Sequence, residues 1–173
     1  IDLYGNIWVS YLGHTVVWSA KNKKWNCSVS QIISEMGFKG VNCGNILVKD
    51  LVTDNKGRIW IATDHDGMLM LNTRNKTWEK YTFDEKKSES IPDNTIQNLF
   101  LDNNGALWIG SYKNGVAYYS AENSKFSTIY LGDVCTIVED NSGDLWCGTN
   151  NLGIVVYNPF TGATRRYTDT ETG

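Results

Sequence analysis

The side chains best suited to chemistry stand together in one short segment. Asp64, His65 and Asp66 are consecutive, and an imidazole between carboxylates is typical of acid–base and metal sites. The second histidine, His14, lies far away in the chain. A solvated turn closed by Gly67 accounts for the cluster better than either kind of site. We therefore expect no catalytic residue, no bound metal and no cofactor.

Ligand binding is the other chemistry that these residue types allow. Tyr112 and Lys113 are the strongest pair, because an aromatic ring stacks on the apolar face of a sugar while an ammonium group donates to hydroxyls. Neighbouring polar side chains follow other tryptophan-containing segments. The predicted ligand-binding residues are Tyr112, Lys113, Asn114, Asp64, His65 and His14.

These loops must be positioned by a repeat, because each follows the same motif. The pattern DxxGxxW occurs four times, at 2–10, 54–63, 102–111 and 140–149. Its tryptophans recur every 38 to 52 residues, as Trp8, Trp60, Trp108 and Trp146. A β-propeller blade of four strands has a period of roughly 40–50 residues. The spacing therefore predicts a propeller.

The motif also predicts its own turn. Aspartate in the first position and glycine in the fourth favour a type I turn whose carboxylate accepts backbone N–H groups. The residues concerned are Asp54, Asp102 and Asp140 with Gly57, Gly105 and Gly143. One carboxylate per sheet does not supply the six to eight oxygens that calcium prefers. We interpret the aspartates as structural, and each tryptophan as a wedge between adjacent blades.

Composition and charge narrow the class of protein. Seven Trp, nine Tyr and sixteen Gly against two Pro suit many short strands. Sixteen basic and nineteen acidic residues give a net charge of −3 without a basic block, so nucleic acid is not an expected partner. No apolar run is long enough to span a bilayer. The chain looks cut from a longer protein, and any membrane segment would lie in other parts of it.

Four cysteines show neither a metal-binding spacing nor the density of a disulfide scaffold. Cys135 and Cys147 fall on neighbouring strands, so a cross-strand bridge is conceivable. Free, buried thiols are the preferred interpretation.

The predicted fold is all-β, a propeller fragment of three complete four-stranded blades and most of a fourth. The blades span about residues 1–30, 46–83, 95–130 and 134–168. Residues 26–45, with a helical turn capped by Ser30 and ended by Gly37, and the charged segment 82–94 are expected to be surface loops. An open arc exposes apolar end faces. We therefore expect it either to pair with a second copy, giving an eight-bladed ring, or to be poorly soluble.

The segment DNSGDLWCGTNNLGIVVYNP at 140–159 closely resembles the two-component regulator propeller repeat. The resemblance covers essentially the whole chain. It implies the periplasmic part of a hybrid two-component sensor in the inner membrane of Bacteroides-like bacteria. Such a region senses oligosaccharides, and a histidine kinase elsewhere in the parent protein controls polysaccharide-use genes. The chain itself is then not an enzyme.

Two other functions stay open at this stage. A propeller can be a scaffold for protein interaction or dimerisation without a small ligand. It can also be a carbohydrate-active enzyme such as a lyase or glycosidase, but paired carboxylates would then have to converge from different blades. The presence of a ligand pocket on one rim would distinguish the sensor function from the scaffold function.

Overall fold

The computed structural model describes residues 1–12, 14–44, 46–120 and 125–168. Short antiparallel strands dominate these residues, and within each sheet every strand pairs with the one that follows it in the chain. Three sheets have four strands and one has three. The predicted propeller fragment of three complete blades and an incomplete fourth is therefore confirmed.

The strands follow one another in the same order within every blade. Blade one contains β1 (Ile7–Tyr11), β2 (His14–Ser19) and β3 (Lys24–Asn26). Blade two contains β4 (Val48–Thr53), β5 (Arg58–Thr63), β6 (Met68–Asn72) and β7 (Thr77–Tyr81). Blade three contains β8 (Ile96–Leu101), β9 (Leu107–Ser111), β10 (Val116–Ser120) and β11 (Lys125–Ile129). Blade four contains β12 (Val134–Glu139), β13 (Leu145–Thr149), β14 (Ile154–Tyr157) and β15 (Thr164–Tyr167).

The DxxG turn is held by its own aspartate. In blade two, Oδ1 of Asp54 accepts the backbone N–H groups of Lys56 at 3.0 Å and Arg58 at 2.8 Å. Gly57 closes the turn with a positive φ of 79°, a conformation that glycine adopts without steric cost. Oδ2 of Asp54 accepts the indole N–H of Trp60. The same carboxylate–indole bond, 2.8–3.1 Å long, occurs in all four blades, from Asp2, Asp54, Asp102 and Asp140. The motif predicted the turn but not this bond.

Trp60 and Trp108 lie between blades, as expected. Trp60 is completely buried, and its ring centroid is 4.9 Å from that of Tyr119 in blade three. Trp108 likewise faces blade four, 6.0 Å from Tyr157. Both faces of an inner blade are therefore buried, which explains why strands such as β6 carry no alternation of polar residues.

In blades two and three, a side chain on the first strand fixes the register of the blade against the next blade. Oδ2 of Asp50 in blade two accepts the backbone N–H of Leu99 in blade three at 2.8 Å. Oδ1 of Asn98 in blade three accepts the backbone N–H of Ile137 in blade four at 3.2 Å. These bonds satisfy backbone groups that face away from the pairing strand.

The segment between blades one and two contains the helix α1 (Val29–Glu35). Its N-cap is Ser28, whose hydroxyl accepts the N–H of Gln31 at 3.2 Å, so the prediction that Ser30 caps it was wrong. Ser30 instead accepts the backbone N–H of Cys43 at 3.1 Å. Gly37 does follow the helix end, with a φ of 91°.

The helix is also more than a surface loop. Val29, Ile32 and Ile33 are buried, and they join one apolar cluster with Ile59 and Leu71 of blade two. The segment therefore covers part of the interface between the first two blades. Its sequence predicts only a surface loop with a helical turn, because a seven-residue helix is shorter than the window of roughly 11–18 residues in which helical periodicity is recognised.

Candidate functional site

One rim of the arc carries the loops between the second and third strands of blades two to four. In blade one the tryptophan strand is β1, so the equivalent connection joins β1 to β2. Strand order places these loops beside the links that join successive blades. The backbone confirms this proximity, because Asp64 donates to Leu47, Tyr112 to Thr95 and Asn150 to Asp133, at 2.9–3.0 Å. We call this end the loop rim. The DxxG turns lie on the opposite rim, so all the predicted ligand-binding residues share one end of the arc.

Backbone geometry makes glycine necessary at the end of these loops. Gly115 has a φ of 83°, and a Cβ atom on it would lie 2.3 Å from the carbonyl oxygen of Ile129. Gly67 and Gly153 meet a carbonyl oxygen in the same way, at 2.2 and 2.3 Å. The glycine therefore lets the loop return directly against the outermost strand of its blade.

The loop of blade two keeps its charged side chains in local pairs. His65 Nδ1 is 2.8 Å from Asp64 Oδ1, and 85% of the histidine side chain is exposed. Asp66 pairs with Lys80 at 3.2 Å. No group of three histidine, cysteine or acidic side chains that suits a metal occurs among the residues that the structure describes. The cluster is a solvated turn in this structure.

The loop of blade three presents an aromatic ring together with a cation. Tyr112 is 42% exposed, and the Lys113 ammonium lies 5.6 Å from the centre of its ring. Asn114 has a different role, because its amide donates to the carbonyl oxygen of Pro92 at 2.7 Å. That bond fastens the loop to the preceding link. Tyr112 and Lys113 are thus available to a ligand, whereas the Asn114 amide already has a partner.

In blade one, His14 lies beside Tyr11, with ring centroids 6.4 Å apart. Both line a groove of about 370 Å³ that also contains Thr15 and Cys27. No hydrogen bond, ion pair or ring contact between described residues joins His14, the 64–66 loop and the 112–114 loop to one another. The predicted residues share a rim but form three separate surfaces.

A larger groove lies where the sequence analysis placed only a charged loop. It has a volume of about 440 Å³ and lies between segment 82–91 and the outer strands of blades two and three. We call it the link groove. Its apolar side consists of Tyr81, Ile91 and Phe126, and its polar side includes Lys80, Lys86, Lys87, Ser88 and Glu89. Asn114 lines a neighbouring groove of about 320 Å³ on the other side of the same segment.

The segment above the link groove is folded on itself. Ser90 is central, because its hydroxyl donates to the carbonyl oxygen of Asp84 and accepts the backbone N–H of Asp84, both at 3.1 Å. Glu89 pairs with Lys125 of blade three. Ile91 is fully buried and anchors the end of the segment. These contacts give the groove a defined wall.

Tyr81 forms part of the apolar side. Its ring lies edge-on to Phe126, with centroids 5.0 Å apart. Burial, with the hydrogen bond from its hydroxyl to the Glu79 carboxylate, raises the pKa of Tyr81 well above its usual value. The phenol is therefore neutral at physiological pH and acts as a hydrogen-bonding and packing group.

One signal in the sequence could have pointed to this groove. The link between blades two and three covers residues 82–95, whereas the link between blades three and four covers only 130–133. A link much longer than the connection needs is a common place for function.

These features define an arc of β-propeller blades with polar and aromatic loops on one rim. The family model for the two component regulator propeller matches residues 40–65, 90–113 and 131–151. Three segments of the chain therefore match the two-component regulator propeller repeat, and the resemblance seen in its sequence is confirmed. No curated protein sequence matches the chain.

Solved structures show the same fold. The extracellular domain assigned to a hybrid two component system of B. thetaiotaomicron superposes over 97% of this chain and 24% of its own, with 17% identity and a TM-score of 0.78. A second such domain of that bacterium superposes over 99% of this chain and 22% of its own, with 17% identity and a TM-score of 0.69. PorZ, a surface component of the type IX secretion system of Porphyromonas gingivalis, superposes over 99% of this chain and 27% of its own, with 16% identity and a TM-score of 0.67.

The chain thus spans about a quarter of the length of these solved structures. At this level of identity the similarity shows the fold. Within the described residues, no helix has both the length and the apolar character that crossing a membrane requires.

Proposed function

We propose that this chain is part of the periplasmic sensor region of a hybrid two-component protein in the inner membrane, and that the region recognises an oligosaccharide or relays its binding. A histidine kinase elsewhere in the parent protein would then control transcription of polysaccharide-use genes. The piece itself does no chemistry. The observation that carries the proposal is the set of three regulator propeller repeats, on a fold shared with extracellular domains of two-component systems.

The loop rim supports a ligand-binding role. Tyr112 and Lys113 combine an exposed ring with an ammonium group, and a sugar needs both kinds of contact. The grooves on this rim and beside it have volumes of about 320–440 Å³, within the range of roughly 300–1,000 Å³ that is typical of small-molecule sites.

The test is calorimetric titration of the 173-residue chain with a panel of neutral and acidic oligosaccharides, together with thermal unfolding. A ligand that binds only the folded state raises its melting temperature. If the rim binds sugar, Tyr112→Ala should weaken binding about tenfold, since one aromatic contact contributes about 1 kcal/mol or more. Phe160→Ala is the matched control, because Phe160 is an exposed aromatic residue on the opposite rim. Absence of binding by every sugar of the panel would refute oligosaccharide recognition by this piece.

A second candidate function, self-association, is favoured by the two end faces of the arc. On the outer face of blade four, Val138 is 54% exposed and Ile154 is 45% exposed, beside Trp146. On the outer face of blade one, Ile7, Val9 and Trp25 are 40%, 39% and 58% exposed. Apolar faces of this kind mark interaction surfaces.

The repeat indicates what fits these faces. Ile7, Val9 and Trp25 occupy the positions of Leu107, Ile109 and Phe126 in blade three, which are buried against blade two. Blade four presents the tryptophan face that blade two uses for that contact. We therefore propose that blade four of one copy packs on blade one of a second copy.

Sedimentation measurements test this pairing. The chain should sediment as a dimer, and Val138→Asp should make it monomeric, because a buried charge without a partner is costly. Phe83→Asp is the control, since Phe83 is 44% exposed but lies between blades two and three. A monomer at all concentrations, or equal effects of the two substitutions, would rule out the pairing.

A further inference from the structure

We propose that the link groove binds the carboxylate-bearing unit of an acidic oligosaccharide, with Lys86 as the cation that selects it. This inference rests on the proposed sensor function and names the site and the class of sugar. Its basis is the arrangement of charge and aromatic surface in the groove.

The charged side chains that line the groove are paired, with one exception. Lys80 pairs with Asp66 at 3.2 Å, Lys87 pairs with Asp84 at 3.4 Å, and Glu89 pairs with Lys125. Lys86 lines the groove, and no carboxylate of the described residues forms an ion pair with it. One positive charge is therefore left for a ligand.

Two acids close to the groove, Glu79 and Glu85, form no ion pair among the described residues, and neither lines the groove. The Glu79 carboxylate accepts the hydrogen bond of the Tyr81 hydroxyl. Glu85 is adjacent to Lys86 in sequence, but it lines the groove of about 320 Å³ on the other side of the segment. The three lysines and two acids on the link groove itself leave a single net positive charge. A ligand with one negative group complements it.

The opposite side of the groove suits the rest of a sugar ring. Tyr81 is half-buried and Phe126 is 4% exposed, and their rings meet edge-on. Ile91 and Phe126 are buried behind the groove, so the Tyr81 ring supplies the accessible aromatic surface. C–H groups of a pyranose pack on such a ring, while Ser88 supplies a hydroxyl to the polar side. The groove thus offers an apolar surface facing a cation, which fits a uronic acid better than a neutral sugar.

Titration calorimetry with two disaccharides tests the inference. Cellobiouronic acid and cellobiose differ only in that one hydroxymethyl group is replaced by a carboxylate. The unchanged chain should bind the acid about three- to tenfold more tightly than the neutral sugar. Lys86→Ala should remove that preference and leave cellobiose binding unchanged, whereas Lys86→Arg should keep it. Added salt should weaken the binding of cellobiouronic acid and leave the binding of cellobiose unchanged.

Lys56→Ala serves as a control, because Lys56 is an exposed lysine of the opposite rim. Its variant should keep the full preference for the acid. Equal affinity for the two sugars, or a preference that survives Lys86→Ala, would overturn the link groove assignment and leave the sensor proposal standing. If neither these disaccharides nor any sugar of the wider panel binds, both the link groove assignment and oligosaccharide recognition by this piece are refuted.

Discussion

Trp60 in blade two and Trp146 in blade four occupy the same position of the repeat in different surroundings. Both donate the indole N–H to the aspartate of their own turn, at 3.1 and 2.8 Å. Trp60 is fully buried against Tyr119 of the next blade, whereas Trp146 stacks on Tyr167 of its own blade at 5.8 Å. The bond within the blade therefore forms without a neighbour, and only the burial depends on one.

The largest expected effect separates these two tryptophans. Trp60→Ala should lower the free energy of unfolding by about 3–5 kcal/mol, because it leaves a cavity between two blades. Trp146→Ala should lower the free energy of unfolding by about 1–2 kcal/mol, because it removes one hydrogen bond and a ring that is already partly exposed. Urea unfolding followed by circular dichroism measures both values. Equal losses would mean that the blade interface contributes little beyond the bond inside each blade.

Gly115 and Gly162 separate two costs of replacing a glycine by alanine. One is the steric clash of a Cβ atom with a neighbouring strand, and the other is the strain of a positive φ alone. Gly115 and Gly162 both have positive φ, 83° and 72°, but a Cβ on Gly162 meets open space. Gly162→Ala should therefore cost about 1 kcal/mol. Gly115→Ala must also displace the backbone of Ile129, and we expect a loss of about 3 kcal/mol. Urea midpoints decide the matter, and similar losses would show that β11 moves aside freely.

The charge of Asp54 should make the buried turn sensitive to acid. Burial alone would raise its pKa, but hydrogen bonds from Arg58 and Trp60 and the Arg58 charge together hold the pKa below its usual 3.8. The ionised carboxylate therefore stabilises the fold above about pH 4, and this contribution is lost as the pH falls through the lowered pKa.

Asp54→Asn tests that dependence. At pH 7 it should cost about 1–3 kcal/mol, the range for hydrogen bonds to a charged group. The difference from the unchanged chain should shrink below about pH 4. Asp140→Asn on the exposed blade should have a smaller effect, although hydrogen bonds from Ser142 and Trp146 also lower the pKa of Asp140. Unfolding curves from pH 7 to pH 3 provide the comparison.

The smallest expected effect is a difference in the reactivity of two cysteine thiols, which leaves the stability of the fold unchanged. Cys147 is buried on the face that packs against blade three, and burial raises the pKa of its thiol to about 12. Cys135 is exposed. Alkylation of the native chain at pH 8, mapped by mass spectrometry, should label Cys135 and spare Cys147. Labelling of both at similar rates would show that blade four separates from blade three in solution.

The cysteines also show what spacing alone could not decide. All four are free thiols. A bulge between Val134 and Thr136 shifts the register of β12, so that Cys147 lies opposite Ile137. A one-residue shift of this kind sends side chains to different faces. The preferred interpretation of free thiols is confirmed, but Cys135 and Cys27 are exposed rather than buried.

Most of the fold was predictable because the repeat is local and occurs four times. The same turn, tryptophan and glycine recur in copies that differ elsewhere, so each copy supports the interpretation of the others. The helix α1 was placed approximately, but its cap was assigned two residues late. Ser28 and Ser30 are equally good capping residues, and only the packing of Ile32 and Ile33 selects between them.

The candidate site was much less predictable. The repeat predicted that polar and aromatic residues lie on one rim. It did not predict that the Asn114 amide donates a hydrogen bond to the Pro92 carbonyl oxygen, or that segment 82–91 folds over a groove. Glu89 and Lys125 meet across thirty-six positions of the chain. No short pattern contains both residues, so no motif could reveal their contact.

The sequence by itself determined the turns, the strands and the repeat, because those contacts span only a few residues. An aspartate and the tryptophan six positions later meet whenever the turn forms. Tertiary structure alone decided which side chains line the link groove and which of its lysines has no ion pair among the described residues. Those properties depend on how long links and separate blades pack together, and packing is set by the shapes of surfaces that are distant in the chain.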